Sequence, residues 1–195
     1  MNIFWLSLHP EQNAALYNDQ HCVKIILEIT QVLFAALHTH GAPNWQDHLD
    51  KIYKATHLCH PVTLWTLESP QNFLTVLFFG ITLCAEFTRR RHKTHACERL
   101  LVQMLRVAPT TPRPVTWKKA CVRATAFKNC TPVPLCMDPA FHVYMDGKPD
   151  LVASYRNYYV RTKMRFTSGR MSTYKQGVPV LFADAYNEEA VSNTT

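Results

Sequence analysis

The chain is expected to be mainly α, a single helical domain with an irregular, Pro-containing C-terminal third. Three observations lead there. Glycine is scarce, at 5 of 195 residues. Apolar residues in the first half recur at helical spacing rather than alternating as strands do. Proline stands where helices start or stop. With 47% hydrophobic residues, four Trp, eight Tyr and ten Phe, the chain can bury a sizeable core and is not of a disordered class. Its length suits one domain, assigned here to residues 1–186, followed by a flexible polar tail over 187–195.

Residues 2–8, "NIFWLSL", read as a short extended or buried segment. A helix then starts at His9-Pro10-Glu11, with Pro in its first turn, and runs to about Leu37. Gly41 and Pro43 in "HTHGAPN" stop it. A short helix is expected from about Trp45 to Ala55. His60-Pro61 opens a helix over about 62–68, and Ser69-Pro70 caps and restarts the chain as a long helix over about 71–91. Another helix is expected over about 94–107. "APTTPRPVT" is a loop or boundary. Beyond Trp117 the periodicity weakens, until one further helix over about 150–163. No internal repeat is visible.

The net charge is +7, with ten histidines besides. Such a balance attracts anions: nucleic acid, nucleotides or an acidic surface. Seven cysteines, with neither a basic n-region nor a long apolar h-region at the start, suggest reduced thiols inside a cell. No uninterrupted apolar run reaches the ~18 residues of a membrane span, so no membrane partner is expected. The chain has no Gly-rich phosphate loop, GxSxG elbow, CxxC pair or HExxH motif, which argues against P-loop, Rossmann, α/β-hydrolase and common zinc classes. No metal and no cofactor is expected.

"YNDQHCVKIILEITQ", residues 17–31, is apolar almost all the way round, yet carries polar heads. At ~100° per residue, Tyr17, His21, Lys24, Glu28 and Gln31 fall within roughly 80° of one another. So narrow a stripe on an otherwise apolar helix faces a cleft, a ligand or other polar groups; the plainer alternative is an amphipathic helix with a Lys24–Glu28 surface pair. Glu28 suits a general acid or base, Lys24 a phosphate contact or imine, and His21 a proton shuttle. Glu68 and Asn72 share a face of the next helices and, with His60, are candidates for the same pocket. "EFTRRRHKTH", residues 86–95, is the densest positive stretch, and Arg90 and Lys93 are candidate phosphate contacts. "SYRNYYVRTK", residues 154–163, interleaves aromatics with cations; Tyr155 and Tyr159 would stack on bases and Arg156 would hold a phosphate.

The stretch "NIFWLSLHPEQNAALYNDQHCVKIILEITQVL" resembles the N-terminal segment of uncharacterised all-helical proteins of large DNA viruses and phages. "CHPVTLWTLESPQN", "KTHACE", "PVPLCMDP" and "SYRNYYVRTK" resemble the same family. A more distant similarity is to the pyrimidine-dimer DNA glycosylases of the endonuclease V type. Their first helix carries an Asp-Gln-His run with an essential Glu seven residues after the His, as Asp19-Gln20-His21 and Glu28 do here. In that family the N-terminal α-amine attacks the sugar C1′ and displaces the base; an imine forms, and the Glu supports both glycosylase and strand-cleaving steps. Here Leu27 and Gln31 replace that family's basic residues. Asn2, large for removal of the initiator Met, stands where a small residue is usual, so that Met1 or Lys24 would have to supply the amine. The resemblance implies an intracellular viral enzyme of DNA repair or nucleotide processing, a DNA glycosylase/lyase, with nucleic acid (DNA above all) or a nucleotide as partner. The alternatives are a non-enzymatic viral DNA-binding or host-interaction protein, and a nucleotide-sequestering protein.

Overall fold

The computed structural model describes residues 2–117, 121–164 and 170–191, with side chains up to Asn187. Met1, one expected source of an amine, and the end of the tail lie outside these. Among the described residues the chain is mainly α, with seven α-helices and two small antiparallel hairpins.

Local signals set most helix ends. α1 (Pro10–Leu16) has Pro at its first position. The helix expected to continue to Leu37 instead breaks at Tyr17-Asn18. Asn18 caps α2 (Asp19–His40), its side chain accepting from the His21 N–H at 2.8 Å. A side-chain acceptor there satisfies a free N–H of the first turn, and Asp19 suits that end's positive dipole. Trp45–His48 is one 3-10 turn, shorter than the helix expected to Ala55. α3 (Pro61–Glu68) is capped by His60, and α4 (Pro70–Arg91) by Ser69, which accepts from Asn72 N–H. α4 ends in Arg89, Arg90 and Arg91, cations that suit a helix C-terminus. α5 is Glu98–Met104, within the stretch expected.

The C-terminal third is less irregular than its sequence suggests. β1 (Arg123–Ala124) pairs with β2 (Val133–Pro134), and β3 (Val143–Met145) with β4 (Lys148–Asp150). Asp146 and Gly147, both at positive φ, form the two-residue turn of the second hairpin, the backbone a tight Asp-Gly turn requires. Asp150 then caps α6 (Leu151–Lys163). α7 (Val180–Val191) was not expected, and it runs across the boundary set at 186.

The centre is α2 against α4, with α3 alongside and α1 and α5 on α4. Gly80 sets the close approach: a Cβ there would stand 2.8 Å from Ile29 Cγ2. Both helices are 22 residues long and apolar enough to cross a membrane by length and composition, although neither is an uninterrupted apolar run. Two-thirds of the apolar window of α2 and half of that of α4 are buried inside the fold.

Candidate active site at Glu28

The polar stripe of α2 faces the chain's own beginning. Ile3, Phe4, Trp5 and Leu6 are all buried, yet their segment joins neither sheet. A buried backbone needs partners for its N–H and C=O groups, and here side chains supply them. Asn2 N donates to Glu28 Oε2 at 2.9 Å. Phe4 N donates to Tyr17 Oη at 2.8 Å, and that hydroxyl donates back to Phe4 O at 2.7 Å. Leu6 N and Ser7 N donate to Asn13 Oδ1, and Arg156 Nε donates to Leu6 O at 2.7 Å. The segment is thus held where a neighbouring strand would otherwise lie.

Glu28 is 9% exposed. Besides Asn2, its carboxylate has Lys24 Nζ at 3.4 Å. Lys24 is mostly exposed, its side chain at 69%. Asn2 also donates through Nδ2 to Cys136 O and accepts from Tyr155 Oη. Burial pushes the Cys136 thiol up to about 12, so it stays protonated and is a poor nucleophile. Gln31 continues the stripe, half-buried.

His21 packs on Phe4, and its Nδ1 lies 2.9 Å from Tyr159 Oη. Burial, with Lys163 and Lys24 nearby, lowers its pKa to about 4. It is therefore neutral at pH 7 and far from the ideal for a proton shuttle there. Asp19 and Gln20 hold the C-terminal segment instead: Asp19 Oδ2 accepts from Lys175 N at 2.8 Å, and Gln20 bonds Thr173. His60 spends its Nδ1 on Val62 N, and burial lowers its pKa.

Several expected site residues have other duties. Arg90 is 9% exposed, and all five of its N–H donors are engaged: Nε with Glu86, Nη1 with Tyr17 O and Asp19, Nη2 with Ala14 O and Ala15 O. It closes the C-terminus of α1 and has no donor left for a phosphate. Tyr155 and Tyr159 are 0% exposed, so neither can stack on a base; Tyr159 Oη accepts from Asn18 N. Tyr158, one position away, is the half-exposed ring, with Lys163 over it. Arg156 is tied to Leu6 O as described. Glu68 and Asn72 form a separate cluster. Glu68 binds Arg123, Thr131 and Trp117, while Asn72 binds Trp65 O and Thr131, which pins the Pro-rich stretch and β1–β2 to α3.

Lys93 stands in a cleft of about 570 Å³ with Arg91, His92 and Lys175 around Val23 and Phe87. Lys175 and Val23 were not anticipated, because residues 23, 93 and 175 meet only in the fold. No ion pair engages Arg91, Lys93 or Lys175 among the described residues. Also among the described residues, no group of three His, Cys, Asp or Glu side chains is placed to hold a metal ion, and all seven cysteines are free. Comparison with protein-family models, curated proteins and solved structures finds no match to this chain.

Proposed function

We propose that this protein acts at a glycosidic bond of a nucleic acid or nucleotide, with Glu28 as the acid/base. The observation that carries the reading is one sheltered carboxylate set against two nitrogens, Asn2 N at 2.9 Å and Lys24 Nζ at 3.4 Å. Lys24 reaches solvent and can meet a sugar C1′, and Glu28 can take the proton its ammonium must lose before attack. The Asn2 nitrogen is an amide as long as Met1 precedes it. Were Asn2 the first residue, that same atom would be an amine already resting on Glu28. The cleft at Lys93 and Lys175 adds cations that form no ion pair among the described residues and suit phosphate oxygens. It also favours the second reading, a protein that binds DNA without reacting with it.

Borohydride trapping on duplex DNA with an abasic site or a pyrimidine dimer tests the proposal, alongside an intact mass for the N-terminus. A trapped adduct and strand cleavage are expected, with Glu28→Gln slowing cleavage by about 10²–10⁴-fold. Loss of the adduct in Lys24→Ala makes the lysine the amine; retention there, with Met1 absent by mass, makes it Asn2. Binding with neither adduct nor cleavage overturns the enzyme and leaves the DNA-binding reading.

A further inference from the structure

A second cavity, of about 310 Å³, opens between the N-terminal segment, α1 and α4. Aromatic rings form much of it. Trp5 and Phe79 are nearly fully buried; Phe127 packs edge-on to Trp5 with centroids 4.8 Å apart, and Phe78 is 51% exposed at the mouth. Asn13, 0% exposed, also lines it. Its Oδ1 is committed to Leu6 and Ser7, but its Nδ2 has no hydrogen-bond partner among the described residues. A buried amide donor left unpaired is destabilising, and a ligand acceptor would relieve that. Lys128 stands exposed at the rim.

We infer that this cavity binds a planar heteroaromatic ring carrying a hydrogen-bond acceptor, as in a nucleoside monophosphate. The ring lies among Trp5, Phe78 and Phe127. Its carbonyl oxygen or ring nitrogen accepts from Asn13 Nδ2, and its phosphate meets Lys128. The size falls at the small end of ligand pockets, ~300–1,000 Å³, which suits one base with its sugar. The two walls do different work: stacking tolerates any flat ring, whereas a buried lone donor rejects a ring without an acceptor. The site shares no side chain with the Glu28 stripe, and the inference stands independently of the chemistry proposed there.

The test is titration of the full chain with AMP, CMP, GMP and UMP by calorimetry, with inorganic phosphate and benzene as controls and the Asn13 side-chain amide followed by NMR. At least one nucleotide is expected to bind saturably and shift that amide. Phe78→Ala should weaken binding by about tenfold or more; Phe78 is half outside the core, so the fold should survive. Asn13→Asp keeps the acceptor for Leu6 and Ser7 while removing the donor, and should weaken nucleotide binding without weakening that of benzene. Glu28→Gln should leave affinity unchanged, which separates this site from the proposed active site. The inference is overturned if no nucleotide binds up to millimolar concentration, if Phe78→Ala leaves affinity intact, or if benzene or phosphate alone binds as tightly. Where Asn13→Asp fails to fold, Phe78→Ala and the NMR shift decide.

Discussion

Helix α2 carries two sheltered acids, Asp19 at its start and Glu28 in its middle, and they are treated differently. Asp19 is 1% exposed and enclosed: both its oxygens are taken, one by Arg90 and one by Lys175 N. Arg90 is in turn spent on Glu86 and three carbonyls at the end of α1. Glu28 is held by one backbone nitrogen and one exposed lysine. A closed network of buried charge has no atom to offer a substrate, and its removal is a matter of stability. A carboxylate whose partner can swing into solvent can exchange that partner for a reacting group. The contrast separates the acid that organises the fold from the one the proposed function uses, although the sequence places both in a single Asp-Gln-His…Glu pattern.

The strongest way to break this contrast is Arg90→Ala. It leaves Asp19 buried without its guanidinium and uncaps α1, although Glu86 keeps Arg89, and it should cost about 3–5 kcal/mol in urea unfolding. A loss below ~1 kcal/mol would mean that the network is not the closed one described. Acid comes next. The free His21 titrates near 6.5 and the folded one near 4, so between those values the unfolded chain binds a proton that the folded one does not. Stability from this group is complete above pH 6.5 and falls as pH drops to 4, by roughly 3 kcal/mol. Burial likewise lowers His60 and His95, which adds to the slope with the same sign. Comparing wild type with His21→Asn isolates the share due to His21; identical slopes would show that its protonation is not opposed by the fold. The smallest effect is expected for Lys24→Ala, within about 0.5 kcal/mol in stability, because the lysine end of the pair is exposed and Glu28 keeps Asn2 N. A larger loss would move Lys24 to the structural side of the comparison.

How much of this was legible depended on whether a signal was local. Proline and cap residues act within four positions, and they placed α3 and α4 nearly as they are. The break at Asn18 was hidden because apolar periodicity continues across it, while the reason for it lies far away: Asn18 N bonds Tyr159 and its amide bonds Lys163 O. Asp146-Gly147 was a local hairpin signal that went unread beside Pro149. The stripe on α2 was legible as a stripe that must face something polar, but what it faces, the backbone of residues 2–7, leaves no trace in spacing. Tyr155 and Tyr159, four residues apart, share one face of α6. Aromatic rings among cations look the same whether that face turns inward or outward, and here it turns inward. The partners of Arg90 were likewise illegible, since a cation at a helix end reads as solvated unless the elements around it are known.

The way residues 2–7 are fastened has a consequence in time. Their backbone partners include Arg156, and the start of α2 is held by Tyr159, Lys163 and Thr173. On a ribosome adding roughly 5–20 residues per second, Leu6 therefore waits on the order of 10–30 s for Arg156 to be made. During that interval the segment already has Tyr17 for Phe4, Asn13 for Leu6 and Glu28 for Asn2, but not the arginine that α6 adds. The segment is thus anchored in two stages, and the second waits for α6.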